Sequence, residues 1–241
     1  MNYTFNDLVN HGWITIYGSE HGWNIAALLI GYAVAAVIAY LLGSLNFGVI
    51  ISKYKYHEDI RTFGSGNAGM TNMLRTYGKA AAGFTLFGDA AKAMVSVMIG
   101  QLLCGTLGGY IAGLFCMVGH VYPLYFGFKG GKGVVVTAAT ILMLNPAVFT
   151  ICFVVFVAIV ATTKYISLGS IMGALIFPLV LNGVAGSGPH VIVAIIMALF
   201  VVYLHRGNIQ RLRSGTENKL SFSKKDKKKA PGAENSNGAG K

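Results

Sequence analysis

The sequence predicts an all-α integral membrane protein of seven transmembrane helices, with its N-terminus outside and its C-terminus cytoplasmic. Three observations carry this expectation. Of the 241 residues, 54% are hydrophobic and only 11% charged, whereas soluble domains carry about 25% charged residues. Seven apolar runs divide the chain, near 25–50, 80–101, 107–126, 134–144, 146–162, 166–184 and 189–204. The 19 Lys and Arg, against 8 Asp and Glu, gather at alternate ends of these runs rather than spreading evenly.

Most runs approach the roughly 17–25 residues that a membrane helix needs. They are rich in Ala, Leu, Ile, Val and Gly and lack period-2 alternation, so helices are expected rather than barrel strands. The run 134–144 is short. Either it extends back through Gly130-Gly131-Lys132-Gly133, or it is a half-helix ending at Asn145-Pro146. Charge sets the parity. Residues 1–52 hold no Lys or Arg, and the next connection holds Lys53, Lys55, Arg61, Arg75 and Lys79. Lys129 and Lys132 follow the third run, Lys164 the fifth, and ten more cations follow residue 205. Seven spans put all 18 on the cytoplasmic side, as the positive-inside rule requires, and leave Lys92 alone within a span. Six spans would send Lys164 and the basic C-terminal region outside. Trp13 and Trp23 near the outer entry, and Tyr122, Tyr125, Phe126 and Tyr203 near inner ends, suit interfacial belts.

The expected organisation is a short extracytoplasmic segment over 1–24, a membrane domain over 25–220, and a Lys-rich disordered tail over 221–241 that anionic lipid attracts. Residues 1–23 lack a basic n-region and do not read as a signal peptide. Cys104, Cys116 and Cys152 lie in apolar runs without metal-ligand spacing and read as packing residues.

Three clusters depart from lipid-facing sequence. The first, 61–75, reads R-T-F-G-S-G-N-A-G-M-T-N-M-L-R. Its Gly64-Ser65-Gly66-Asn67-Ala68-Gly69 formally fits G-x-G-x-x-G, but no βαβ unit surrounds it, which excludes dinucleotide binding. Its glycines suggest an anion nest of backbone N–H groups, with Ser65, Asn67, Thr71 and Asn72 as further donors and Arg75 as a planar phosphate fork. A tight interfacial turn is the plainer reading. The second cluster, Phe128-Lys129-Gly130-Gly131-Lys132-Gly133, opens a helix and suits an anion, with His120 close by in sequence. The third, His205-Arg206-Gly207-Asn208-Ile209-Gln210-Arg211, places His205 and Asn208 on one helical face. Asp89 and Lys92, i and i+3 within a run, are ionisable groups at membrane depth, where such groups are costly and usually paired. Their role is structural or site-supporting. No G-x-S-x-G, Cys–His arrangement, paired carboxylates or H-x4-D is present.

In these motifs the chain resembles the bacterial acyl-phosphate-dependent glycerol-3-phosphate acyltransferases, the PlsY family. The resemblance rests on G-S-L-N-F-G at 43–48, G-S-G-N-A-G-M-T-N-M-L-R at 64–75, F-G-D-A-A-K at 87–92, G-H-V-Y-P at 119–123, F-K-G-G-K-G at 128–133 and H-R-G-N-I-Q-R-L at 205–212. It spans about 25–220. Asn46 stands where the family often has Pro, and Ala93 where it often has Gly. The resemblance implies a seven-helix enzyme that acylates the 1-hydroxyl of sn-glycerol 3-phosphate from acyl phosphate, at the cytoplasmic face of the bacterial inner membrane. The products would be lysophosphatidic acid and phosphate. No metal or cofactor is implied. By motif position His205, Asn208, Lys132 and Arg75 would be catalytic. Ser65, Gly66, Asn67, Thr71, Asn72, Lys129, Gly130, Gly131, Ser167 and Ser170 would bind phosphate groups. Ser44, Asp89, Lys92 and His120 would support the site. The expected partners are the two substrates, the bilayer and the soluble enzyme that makes acyl phosphate; nucleic acid is not expected.

Acyl phosphate is already activated, so direct attack by the glycerol hydroxyl suffices. Backbone amides near 64–69 or 130–133 would receive the oxyanion. His205 or a substrate phosphate would take the proton. The rival reading from another class is a transporter or channel for small phosphorylated anions, which the broken run at 134–146 suits. No inverted repeat is visible, and the basic clusters lie on one face.

Overall fold

A computed structural model describes residues 3–22 and 25–220. The expectations for Trp23 and for the 221–241 tail fall outside the described residues. Among the described residues the secondary structure is helical throughout. In chain order it comprises α1 (Phe5–His11), α2 (Trp13–His21), α3 (Ile25–Gly43), α4 (Phe47–Tyr56), α5 (Met70–Tyr77), α6 (Lys79–Val121), α7 (Val134–Leu144), α8 (Pro146–Thr163), α9 (Ile166–Ala185), α10 (Pro189–Leu204) and α11 (Arg206–Arg213).

The long α6 is two helices. A straight helix would separate Lys92 from His120 by about 42 Å at 1.5 Å per residue, yet Lys92 Nζ lies 3.0 Å from His120 Nδ1. The chain reverses at Cys104 and at Gly105, whose φ of 68° suits a residue without a Cβ. The two arms meet through glycine, because a Cβ on Gly100 would overlap the Gly108 carbonyl, and one on Gly108 the Gly100 carbonyl. This turn divides the runs 80–101 and 107–126, as expected. α1 sits on the turn, so that a Cβ on Gly105 would come 2.6 Å from Asn10 O. α1 itself begins with a capping box between Thr4 and Asp7.

One boundary differs from expectation, and one open alternative is decided. The run 25–50 is broken, because α3 ends at Gly43 and α4 restarts at Phe47. Asn46 caps α4, its side chain accepting from Val49 N at 3.2 Å. The run 134–144 does not extend back through 130–133. Gly133, in the left-handed region at φ 74°, starts α7, and Asn145 with Pro146 at the first helical position starts α8. α7 is therefore the half-length helix.

By length and composition, four stretches suit a bilayer: 25–56, 79–126 (the hairpin), 146–163 and 166–185. A fifth is the pair α10 and α11, bent by 55° at His205. Large apolar side chains such as Ile25, Leu29, Ile30, Phe153, Val154, Leu179, Ile192 and Leu199 stand exposed along α3, α8, α9 and α10. Such a surface suits lipid and is untenable in water. The inward faces carry small residues and thioethers: Ala39, Ala93, Ala112, Cys116, Met117, Val136, Ala139, Met197 and Val201 form one core. Close approach of small residues is how helices pack in lipid, where the hydrophobic effect does not drive them together.

Gly108→Val should lower the thermal unfolding midpoint in detergent, with a loss of about 1–3 kcal/mol from overpacking. Gly83→Val should be near neutral, since nothing lies within 4 Å of a Cβ there. Equal midpoints for the two variants would contradict the glycine-packed hairpin.

Candidate active site

Residues from four distant stretches meet at the end of the bundle where α7 begins and α10 ends. Lys132, just before α7, donates to Asn208 Oδ1. Asn208 Nδ2 donates to Glu217 Oε1 at 2.6 Å, and Ser167 Oγ donates to the same oxygen at 2.8 Å. Arg211 Nε pairs with Glu217 Oε2 at 2.7 Å. Arg75, on α5, reaches the same segment by donating to Asn218 O at 3.4 Å. The chain after α11 is held there because Thr216 N donates to Arg211 O and Leu220 N to Lys164 O.

Electrostatics follow from this crowding. Burial, then repulsion from Arg211, pushes the Lys132 ammonium down to about 8, with Glu217 opposing. Burial raises the Glu217 carboxyl, but hydrogen bonds from Asn208, Ser167 and Arg211 outweigh it and hold the group below its ordinary value. His205, past the last turn of α10, is buried and pushed down to about 4 by burial and then by Lys132. Its Nδ1 lies 2.8 Å from Val201 O. A carbonyl only accepts, so Nδ1 carries the hydrogen and Nε2 keeps a lone pair.

Of the residues expected in the site, Arg75, Lys132, Ser167, His205 and Asn208 are brought together. Ser170 is buried one turn from Ser167, its hydroxyl bonded back to Ile166 O. Thr71 is half-buried on α5, and Lys129 is exposed on the loop, its carbonyl accepting from Arg61 at 3.0 Å. Ser44 belongs elsewhere, bridging Tyr40 O and Leu124 N.

Four of the amides expected to form a nest over 64–69 are engaged within the protein. Ser65 N donates to Asn72 Oδ1, Gly69 N to Asn67 Oδ1, Gly66 N to Phe63 O and Ala68 N to Gly130 O. Asn72, expected to bind an anion, is buried and spends its amide on Ile60 O, Phe63 O and Asn67 O. Gly130 N and Gly131 N are likewise engaged, with Val121 O and His120 O. The loops need these bonds because an unpaired buried amide is costly. Ser65 is exposed.

Sequence reasoning missed Glu217 and Arg61. Glu217 was legible only as a lone acid between basic residues. Arg61 forks onto Asp59 at 2.9 and 2.7 Å and ties Phe126 O and Lys129 O to the first cluster. Among the described residues no three His, Cys, Asp or Glu side chains come together as a metal site.

The family profile described as glycerol-3-phosphate acyltransferase matches residues 33–215. A glycerol-3-phosphate acyltransferase of Clostridioides difficile (strain 630) is 41% identical over 205 residues, covering 81% of this chain and 98% of its own length. Another, from Syntrophomonas wolfei subsp. wolfei, is 43% identical over 189 residues, covering 78% and 97%. The fold is similar to the crystal structure of PlsY (YgiH), an integral membrane glycerol 3-phosphate acyltransferase, in its glycerol 3-phosphate form, with a TM-score of 0.75 and 36% identity over 79% of this chain and 96% of that one. Its lysophosphatidic acid form matches with a TM-score of 0.72, 34% identity and the same coverage. With match, identity and fold agreeing over about four fifths of the chain, it belongs to the glycerol-3-phosphate acyltransferase family and is a membrane-embedded acyltransferase.

Proposed function

We propose that the chain transfers a fatty acyl group from acyl phosphate to the 1-hydroxyl of sn-glycerol 3-phosphate, releasing lysophosphatidic acid and phosphate for phospholipid synthesis. The observation that carries this reading is the convergence of Lys132, Arg75 and Arg211 on one site beside the neutral, buried His205. With seven spans and the N-terminus outside, the site would face the cytoplasm at the inner membrane, where both substrates would be met.

Lys132 and Arg75 hold phosphate oxygens, Arg75 by its planar fork. Ser167 and Ser65 supply hydroxyl contacts. Asn208 holds Lys132 in place and faces the glycerol. The hydroxyl oxygen attacks the acyl carbonyl carbon, the carbon–oxygen bond to phosphate breaks, and phosphate departs with the bonding pair. Because the amides of 65, 66, 68, 69, 130 and 131 are engaged within the loops, the oxyanion is received by Lys132 and the first N–H groups of α7. His205 Nε2 accepts the hydrogen bond of the attacking hydroxyl and so orients it. Burial disfavours a charged His205 ring, whereas phosphate departing with the bonding pair gains a basic oxygen. The hydroxyl proton therefore ends on the departing phosphate.

Purified protein in detergent should release phosphate only when given both acyl phosphate and glycerol 3-phosphate. Uptake of glycerol 3-phosphate into vesicles without phosphate release would instead establish a transporter. Lys132→Ala should cut turnover by about a hundredfold or more with the protein still inserted; unchanged turnover would remove Lys132 from the site.

The pH dependence follows from Lys132. Its ammonium is needed for binding, and burial has lowered its pKa to about 8. Above pH 7 the substrate phosphate is already largely the dianion, so affinity for glycerol 3-phosphate should be full near pH 7 and fall through about pH 8 to 9. Isothermal titration across that range checks it; a flat profile would mean the ammonium is not the binding form. His205→Gln should lower turnover yet keep the shape of the pH profile, whereas loss of one limb would make His205 the base.

A further inference from the structure

A second polar cluster lies deeper than the first and touches no part of it directly. Lys92 Nζ sits 2.8 Å from Asp89 Oδ1, and the two side chains are 3% and 2% exposed. The same ammonium donates to Gly43 O at 2.9 Å and Leu45 O at 2.8 Å and lies 3.0 Å from His120 Nδ1. Asp89 Oδ1 also accepts from Phe47 N at 3.4 Å. An ammonium has three hydrogens, and four groups crowd this one, with His120 Nδ1 also 3.5 Å from Asp89 Oδ1; the other ring nitrogen, Nε2, is on the far edge. That edge of the ring abuts the glycine loop: a Cβ on Gly131 would overlap His120 Nε2, and one on Gly130 would overlap His120 O. The backbone is fastened at the same place, with Gly131 N donating to His120 O at 3.1 Å and Gly130 N to Val121 O at 3.0 Å. Asn46 Nδ2 donates to His120 O at 3.4 Å. The next residue after this contact is Lys132.

We propose that Asp89, Lys92 and His120 are positioning residues for Lys132. They form a buried pillar that sets the ring of His120, and the ring sets the 130–131 backbone from which the phosphate-binding ammonium projects. The inference rests on the acyltransferase reading above, in which Lys132 binds the substrate phosphate. The pillar does not touch substrate. Its ammonium and carboxylate are engaged by the ends of α3 and α4 and by each other. Its output is mechanical, through a contact with no space for a side chain on the loop.

Two double-mutant cycles test it, read by equilibrium binding of glycerol 3-phosphate to the full-length protein in detergent and by turnover. His120→Asn keeps an acceptor for Lys92 but withdraws the ring from Gly131. It should weaken binding by about tenfold in the natural background and by less than about twofold in a Lys132→Ala background. Equal losses in both backgrounds would overturn the proposal, because the pillar would then act on the fold at large. Gly131→Ala should weaken binding by about tenfold, and adding His120→Asn should restore most of that loss, since the shorter side chain makes room for the methyl group. Additive losses would overturn it. If Gly131→Ala fails to fold, the first cycle decides alone. Failure of the underlying reading looks different. Lys132→Ala would then bind glycerol 3-phosphate and turn over as the parent does, whereas a deficient Lys132→Ala beside an unaffected His120→Asn sinks the pillar only.

Discussion

The structure depends on one buried ammonium. Lys92 is the single cation within an apolar run, and it is placed where α3 runs out of helix. Gly43 O and Leu45 O are carbonyls that the break before α4 leaves without helical partners, at the negative end of the α3 dipole. In water such groups are solvated. In a bundle surrounded by lipid each would cost several kcal/mol. Lys92 satisfies both, and Asp89 neutralises Lys92 one turn away. Removing one member of such a pair costs about 3–5 kcal/mol, because the other is left charged and buried. The pair thereby makes possible a broken first span and a fixed position for the second arm of the hairpin.

That arrangement bears on the glycines of the 64–69 and 130–131 segments. The 64–69 and 130–131 segments run against each other and against the end of α6, joined by Ala68 N to Gly130 O and by Gly131 N to His120 O. A Cβ on Gly48 would overlap Ala68 O, and one on Gly130 would overlap His120 O. The glycines serve backbone-to-backbone packing first. Their amides are spent on that packing, so the chemistry at this end falls to side chains projecting from it: Arg75, Lys132, Ser167, His205 and Asn208.

The helical architecture and the apolar segments were legible because both depend on local composition: run length, absence of alternation, and Gly or Pro at the breaks. The reversal at Gly105 and the half-helix stopping at Asn145-Pro146 came from the same signals. Arg75, Lys132, Ser167, His205 and Asn208 were legible through motifs. The fate of the loop amides was not, because whether an N–H faces an anion or a neighbouring carbonyl depends on contacts between segments far apart in sequence. Asn72 illustrates this: its residue type suits phosphate, but its burial commits it to three carbonyls. Glu217 was hidden for the opposite reason. It lies beyond the last apolar run, in a stretch whose composition reads as solvent-exposed. Only the return of 216–220 to the α8–α9 turn carries it inward.

Glu217 also sets the charge of the site. Lys132, Arg75 and Arg211 bring three positive charges near one another, and Glu217 subtracts one through its contacts with Arg211 and Asn208. The remainder is two positive charges, which matches a phosphate monoester near its dianionic form. Without the carboxylate, repulsion among the cations would lower the Lys132 ammonium further than burial already does. With it, the site is held together at modest net charge. The proposed substrate then meets two uncompensated cations in a setting of low dielectric, where each contact is stronger than in water. The buried pair at Lys92 and the partly buried cluster at Lys132 thus solve different problems. The first is neutral overall and holds backbone. The second keeps a surplus of charge and holds it ready for an anion.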